Sequence, residues 1–272
     1  MGRINKALER IKDREKARSR GPVGAFREDA GNISRNFESA NDVLGASPTK
    51  VRLNMDDLAA NCIITEDMEP GARTAYKMLR TRLLQVMRTN NWQSIAVTSA
   101  AQGDGKTVTA INLAISISGD VNHNVCLVDL DLRRSSIAEY LGLNLKHGVS
   151  DCLRNNLPIS EAVVDPDIDR LLVLPNKTTL THSSEILSSP TMRDFANDLR
   201  SDPSRIVIYD MPPVLAADDM LAFAPNIDAV LFVVAKGKTV RTDVMKAYEL
   251  LEDVHIIGTV FNGSDEKSAS YY

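Results

Sequence analysis

The chain has 272 residues, with 36 acidic and 32 basic side chains and a formal net charge of −4 at pH 7. That length can bury a full core, and the acidic balance argues against a nucleic-acid-binding protein. No apolar run approaches the roughly 18 residues of a membrane-spanning helix, and the charged N-terminus is unlike a signal peptide. The three cysteines and four histidines show no metal-ligand spacing. We therefore expect a cytoplasmic protein.

The segment before the main domain divides into three parts. Residues 1–20 predict a basic amphipathic helix, with Ile4, Leu8 and Ile11 at helical spacing among many Lys and Arg. Such a helix either makes a peripheral contact with an anionic membrane or membrane partner, or is simply solvated. Residues 21–56 are rich in Gly, Asn and Ser and predict a flexible linker. Residues 57–90 predict a helical lead-in segment.

Residues 91–262 alternate short apolar runs with helical patterns. The runs at 95–98, 125–130, 171–174, 206–209, 229–235 and 256–261 are continuous rather than alternating, which is typical of strands buried on both faces. Helical patterns lie between them, near 106–118, 134–142, 184–200, 217–224 and 239–253. This order predicts an α/β fold, with a doubly wound, mainly parallel sheet and helices on both faces; the loop G-x-x-x-x-G-K-[ST] at residues 100–107 makes it one of the P-loop NTPase type.

A phosphate-binding loop follows the first of these strands. Residues 100–107 match the spacing G-x-x-x-x-G-K-[ST], with Ala100 in the first position. Small residues let backbone N–H groups surround phosphate oxygens, and the next helix directs its positive end at the same point. The alternative is a glycine turn with an incidental lysine, which the flanking strand and helix argue against. We expect ATP to be bound by Ala101, Gln102, Gly103, Asp104, Gly105, Lys106, Thr107 and Val108.

Two strand ends add carboxylates to this loop. Asp129 and Asp131 follow one apolar run, and Asp210 ends another, before Pro212 and Pro213. Asp129 and Asp131 are two residues apart on an extended chain, so we expect both to face the γ-phosphate and its metal. An isolated strand-end aspartate is often only a turn residue. Combined with the loop, the set predicts Mg²⁺ held by Thr107 and Asp210.

These motifs together resemble the bacterial protein-tyrosine kinases (BY-kinases) of exopolysaccharide and capsule synthesis. The resemblance rests on residues 100–107, 128–134 and 210–213, with further similarity at 174–176, 185–189 and 257–262. It extends over residues 51–262. The chain is most similar to the short cytoplasmic autokinases associated with exosortase loci.

The resemblance implies a role for each motif residue. The catalytic residues would be Lys106, Asp129, Asp131 and Asp210, and the metal ligands would be Thr107, Asp129 and Asp210. Asn262 would contact the adenine ring, while Asp219 occupies a family position without an assigned role. Residues 263–272 lack any apolar period and predict a disordered tail. On that tail, Tyr271 and Tyr272 would be the phosphoacceptors.

The resemblance also implies partners and leaves alternatives open. A membrane polysaccharide co-polymerase, or chain-length determinant protein, would hold the kinase at the inner face of the plasma membrane. The question of assembly into a homo-oligomer stays open, because Thr74, Lys77 and Arg80 occupy the positions of the family's ring motif E-x-x-R-x-x-R. A Min/Par-like regulatory ATPase is one alternative, although Ala101 stands where that class has a signature lysine. A nucleotide-bound, non-catalytic scaffold of a polysaccharide export complex is another.

Overall fold

A central eight-stranded sheet organises the residues that this computed structural model describes, namely 48–65, 68 and 70–264. Its spatial order is β1-β4-β5-β3-β6-β2-β7-β8. Neighbouring strands are parallel except β4 and β5, which pair antiparallel. The strands are β1 (Thr49–Lys50), β2 (Ser94–Ser99), β3 (Asn124–Asp129), β4 (Val164–Asp165), β5 (Leu171–Leu174), β6 (Arg205–Asp210), β7 (Ala229–Ala235) and β8 (Ile256–Asn262). The predicted doubly wound, mainly parallel fold is confirmed.

Helices cover both faces of the sheet. On one face lie α1 (Met55–Ala60), α2 (Pro70–Asn90), α3 (Lys106–Ser118) and α4 (Ile137–Tyr140). Packed against the other are α5 (Val149–Asn155), α6 (Ile159–Ala162), α7 (Ser183–Leu187), α8 (Pro190–Leu199), α9 (Asp219–Phe223) and α10 (Arg241–Leu250). None of the described helices is long and apolar enough to cross a bilayer.

The central strands are apolar on both sides because each face meets a separate core. In β2, Ile95 and Val97 pack with α2 and α3, whereas Ala96 belongs to the core on the opposite face. Successive side chains of a strand point to opposite faces. A continuous apolar run is therefore what a doubly covered sheet requires.

The lead-in segment is part of the folded domain. Leu58 of α1 and Leu83 and Met87 of α2 are buried in the core. Asn112 of α3 accepts the N–H of Ile64 at 2.7 Å and donates to the carbonyl of Cys62. These bonds fasten the turn after α1 to the helix that follows the phosphate loop.

Several sequence-based boundaries differ from the structure. The linker was expected to reach residue 56, but β1 lies within that range and pairs with β4. A strand of two residues is too short to show a period in the sequence and is defined only by its pairing. The helical stretch expected at 184–200 is two helices, since Pro190 starts α8 with Ser189 as its N-cap. Helices α5 and α6 were not predicted. The basic helix at 1–20, most of the linker, and Tyr271 and Tyr272 of the tail lie outside the described residues.

Tyr209, in the central strand β6, generates a stability prediction. Its ring is fully buried and packs edge-to-face on Phe223 with ring centroids 4.8 Å apart. Within the described part of the chain its hydroxyl has no hydrogen-bond partner. A buried polar group without a partner costs about 1–3 kcal/mol. Tyr209→Phe keeps the ring and removes that cost, so we expect an equal or larger free energy of unfolding.

Urea denaturation measures the change. Tyr248→Phe is the matched control, because the Tyr248 hydroxyl lies 2.6 Å from the hydroxyl of Thr259 and its loss removes a hydrogen bond. We expect that control to lose about 0.5–1 kcal/mol. A Tyr209→Phe chain that is destabilised by more than the control would contradict the prediction.

Candidate active site

The phosphate loop joins β2 to α3 and forms the wall of a cavity of about 610 Å³. Gly103 and Gly105 have φ values of +76° and +88°, which residues with a Cβ rarely adopt. A Cβ at Gly103 would overlap the Lys238 amine, and one at Gly105 would overlap the Asn262 amide. The backbone conformation therefore favours glycine at both positions, and a side chain at either would also displace the end of Lys238 or Asn262.

Beneath the loop, the ammonium of Lys106 lies among carboxylates. Its Nζ is 2.8 Å from Asp131 Oδ2 and 3.4 Å from Asp210 Oδ1. The Thr107 hydroxyl donates to Asp210 Oδ2 at 2.6 Å. Burial alone would lower the pKa of Lys106, but Asp210 and Asp131 outweigh it and raise that pKa above its usual value. The lysine is therefore held charged at the cavity wall.

Asp129 lies deeper than Asp131. It is fully buried, and its Oδ2 accepts the N–H groups of Ser136 and Ile137, each at 3.1 Å. Its other oxygen, Oδ1, has no hydrogen-bond partner among the described residues. Burial, followed by repulsion from Asp210, raises the pKa of Asp129 well above its usual value. Burial likewise raises the pKa of Asp210, although Lys106 opposes the shift.

This donor set is chemically suited to Mg²⁺. An unpartnered carboxylate oxygen on Asp129, the Asp210 carboxylate and the Thr107 hydroxyl are hard oxygen donors beside a phosphate loop. The described residues contain no group of three or more His, Cys, Asp or Glu that could hold a metal by themselves. Mg²⁺ in phosphoryl-transfer sites commonly takes few protein ligands and completes its shell with phosphate and water. The residues present therefore fit the ion.

The predicted site residues divide into two sets. Those that line the cavity are Gln102, Gly103, Gly105, Lys106, Thr107, Val108 and Asp131. Those that do not line it are Ala101, Asp104, Asp129, Asp210 and Asn262. Asp104 is buried and accepts the Ala101 N–H at 3.0 Å, so its carboxylate stabilises the loop from behind. Asn262 donates to the carbonyl of Asp104 at 3.0 Å.

Other cavity residues had no role in the sequence-based prediction. Arg134 donates to the Gln102 side chain at 2.9 Å and closes one side of the cavity. Its place in the 128–134 motif was the available signal. Lys238 and Asn61 come from distant segments and also line the cavity. No local pattern connects those two residues with the loop.

Asp219 acquires a clear structural role. It is fully buried at the start of α9. Its carboxylate accepts a hydrogen bond from the Ser183 hydroxyl at 2.6 Å and another from Nε–H of Arg133 at 2.9 Å. Arg133 stands two residues after Asp131. Through Arg133, the Asp219 carboxylate therefore holds in place the segment on which Asp131 lines the cavity.

Two of the three positions that correspond to the ring motif, Thr74 and Arg80, make side-chain hydrogen bonds within the chain. Arg80 donates to the carbonyl of Ser116 at 2.9 Å, and the Thr74 hydroxyl donates to the carbonyl of Pro70 at 2.8 Å. The Arg80 bond joins α2 to α3, and the Thr74 bond lies within the first turn of α2.

Comparison with known proteins places this site in a family. A model of the ParA family, described as NUBPL iron-transfer P-loop NTPase, matches residues 90–268. Tyrosine-protein kinase YwqD of Bacillus subtilis (strain 168) is 29% identical over 199 residues, which cover 72% of this chain and 83% of YwqD. The putative tyrosine-protein kinase EpsB of Ralstonia solanacearum is 28% identical over the same share of the chain, but only 26% of EpsB is covered.

Solved structures share the fold. The chimerical protein CapA2B2 superposes with a TM-score of 0.69 at 24% identity, covering 84% of this chain and 99% of that one. The septum site-determining protein MinD of Pyrococcus horikoshii OT3, complexed with Mg-ADP, gives a TM-score of 0.54 at 21% identity, covering 64% of this chain and 72% of MinD. The Min/Par-like alternative is the weaker fit.

The chain belongs to the ParA family of P-loop NTPases. Within that family it groups with the bacterial tyrosine-protein kinases, which confirms the resemblance drawn from its motifs.

Gly105 provides a test of the phosphate loop. Gly105→Ala places a methyl group against the Asn262 amide at a φ of +88°, so the loop must shift. We expect affinity for Mg·ATP to fall at least tenfold, measured by equilibrium titration. Gly142→Ala is the control, because Gly142 also has a positive φ but a Cβ there meets only Asp57 at 3.8 Å. The control should lose about 1 kcal/mol of stability and keep its affinity. Equal affinity in both variants would contradict the prediction.

The raised pKa of Asp129 predicts how stability depends on pH. A folded-state pKa above the unfolded value of about 3.9 means that the folded chain binds this proton more tightly. Its contribution to stability is therefore lost as pH rises from that value through the folded pKa. Asp129→Asn removes the buried charge, so in the absence of nucleotide and metal we expect a gain of at least about 1 kcal/mol at pH 7.

The gain should shrink as the pH falls toward the unfolded-state pKa of about 3.9, because the raised folded-state pKa favours the protonated carboxyl of the wild type in that direction. Urea denaturation of both chains across this pH range measures it. A variant that is less stable than wild type at pH 7 would show that the Asp129 charge is compensated in the folded chain.

Proposed function

We propose that this chain is an ATP-dependent protein-tyrosine autokinase that regulates exopolysaccharide synthesis or export. The observation that carries the proposal is the buried cluster in which Lys106, Asp131 and Asp210 meet beneath the phosphate loop. The family supports the use of a nucleotide at a P-loop, and the relatives named as tyrosine-protein kinases support the reaction class.

In this proposal the phosphate chain of ATP enters the cavity over the loop. Lys106 would turn its ammonium toward the β- and γ-phosphates, in exchange for part of its pairing with Asp131 and Asp210. Thr107, Asp129 and Asp210 would hold Mg²⁺. When bound, the ion supplies positive charge against the charge that develops on the transferred phosphoryl group.

Asp131 is the carboxylate best placed to orient the acceptor. It lines the cavity, whereas Asp129 and Asp210 are fully buried below it. A tyrosine hydroxyl has a pKa of about 10, so a carboxylate is a weak base toward it. Phosphoryl transfer through a loose transition state depends mainly on positioning. As the new bond between the phenol oxygen and the γ-phosphorus forms, the bond to ADP breaks and the phenol proton passes to Asp131.

The proposed acceptors are Tyr271 and Tyr272, modified in trans. Residues 263–272 extended span at most about 35 Å. We infer transfer in trans because such a reach would allow entry into a neighbouring chain's site, whereas entry into the same chain's site would require the chain to reverse its direction near Gly263. A phosphate carrying about −1.5 to −2 charges next to Asp265 and Glu266 would be repelled by the acidic site. Modification would therefore release the segment.

The partner and location belong to the same proposal. By resemblance, the activating partner is a membrane polysaccharide co-polymerase, which would bring the kinase to the inner face of the plasma membrane. The basic residues 1–20 are one candidate for the contact, through an acidic partner segment or anionic lipid.

Phosphotyrosine formation tests the proposal. A Lys106→Met chain with both tyrosines intact is mixed with an active chain that carries Tyr271→Phe and Tyr272→Phe, in Mg·ATP with the cytoplasmic segment of the cognate co-polymerase. We expect phosphate on the Lys106→Met chain, detected by mass spectrometry, because the active chain supplies the Lys106 charge that transfer requires. Lys246→Met, an exposed lysine change outside the cavity, is the matched control and should autophosphorylate normally.

Each alternative has its own outcome. If the wild type becomes phosphorylated on tyrosine but the Lys106→Met chain in the mixture does not, transfer in trans is eliminated. ATP hydrolysis without phosphotyrosine would favour the Min/Par-like ATPase, and nucleotide binding without turnover would favour the scaffold.

A further inference from the structure

We propose that Lys238 is a second phosphate-binding lysine, which contacts the nucleotide from the side of the phosphate loop opposite the aspartates. The inference rests on the proposed use of ATP at this site and adds a residue that the loop motif does not contain. It is carried by the topology of the sheet, the position of the Lys238 amine and the hydrogen bonds that hold its loop.

The sheet places Lys106 and Lys238 on different sides of the loop. Strand β2, which leads into the loop, lies between β6 and β7. Asp210 ends β6 and Asp131 follows β3, the next strand beyond it, and Lys106 pairs with both. Lys238 follows β7, on the other side of β2. A phosphate chain over the loop would therefore lie between two cations from separate elements.

The Lys238 amine already lies at the loop. A Cβ on Gly103 would overlap its Nζ, so the amine contacts the loop backbone where phosphate-binding N–H groups are expected. Lys238 also lines the same cavity as Lys106 and Arg134. No carboxylate among the described residues pairs with Lys238 within 4.0 Å. Its charge is therefore available to an anion in the cavity.

Hydrogen bonds connect the loop that carries Lys238 to the phosphate loop. The Thr239 hydroxyl donates to Asp104 Oδ1 at 2.9 Å and accepts the N–H of Ala235 at 2.7 Å. The other Asp104 oxygen accepts the N–H of Ala101 at 3.0 Å. Asp104 is fully buried, so this connection is shielded from water. These bonds therefore hold the backbone next to Lys238 in a fixed position relative to the phosphate loop.

The charges explain what the second lysine contributes. Lys106 is shared with two carboxylates and is not a full counter-ion for the phosphate chain. Mg²⁺ would be held on the same side, by residues from β3 and β6. The oxygens that face β7 would then meet only backbone N–H groups unless Lys238 reaches them. Its ammonium supplies charge-assisted hydrogen bonds at that side.

Nucleotide affinity of the full chain tests the inference. ADP and ATP, each with Mg²⁺, are titrated into wild type, Lys238→Ala and Lys238→Arg, with Lys246→Ala as a control that removes the same charge from the exposed surface of α10. We expect Lys238→Ala to weaken both nucleotides about tenfold, the size of one charge-assisted contact. Lys238→Arg should recover most of the affinity, and Lys246→Ala should match wild type.

Adenosine, measured as a competitor, separates phosphate binding from a change in loop shape. Lys238→Ala should leave adenosine affinity unchanged. The inference is overturned if Lys238→Ala binds ADP and ATP within twofold of wild type, or if adenosine weakens as much as ADP. Wild type that binds nucleotide but forms no phosphotyrosine would defeat the kinase proposal and leave this inference standing. Wild type that binds neither nucleotide would overturn both.

Discussion

The ammonium of Lys106 between the carboxylates of Asp131 and Asp210 is the interaction on which the rest of the site depends. Buried charges cost several kcal/mol each unless they are paired in good geometry, so these groups are stable only as a unit. The unit needs a loop from β2 and carboxylates from β3 and β6 at one edge of the sheet. Parallel strands provide that arrangement because their carboxyl ends emerge together.

The cluster is electrostatically unbalanced in a way that suits its chemistry. One ammonium lies among three aspartates, and burial with mutual repulsion raises the pKa of both Asp129 and Asp210. An oxygen of Asp129 is buried without a partner. A core selected for stability alone would avoid both features, whereas a site that must attract a divalent cation benefits from them. The buried like charges and the unpartnered oxygen thus lie in the proposed active centre.

The phosphate loop is held from its other side as well. Asp104 takes hydrogen bonds from Ala101 and Thr239, and its carbonyl accepts the Asn262 amide. The loop is therefore attached both to the segment after β7 and to the end of β8. Ala101 offers no side-chain charge, and the basic residues that line the cavity are Lys106, Arg134 and Lys238. The three basic side chains come from separate segments of the chain and converge on one cavity.

The sequence by itself determined the phosphate loop, the strand-end aspartates and the alternation of strands and helices. These features follow from local geometry, in which small residues permit a tight loop and continuous apolar runs mark doubly covered strands. Sequence could not show that Asp131 reaches the cavity while Asp129 lies beneath it, or that Asp219 anchors Arg133. Nor could it place Lys238 at Gly103, 135 residues along the chain. Only the tertiary structure decided these contacts, because they depend on strand order and helix packing, which no local pattern encodes.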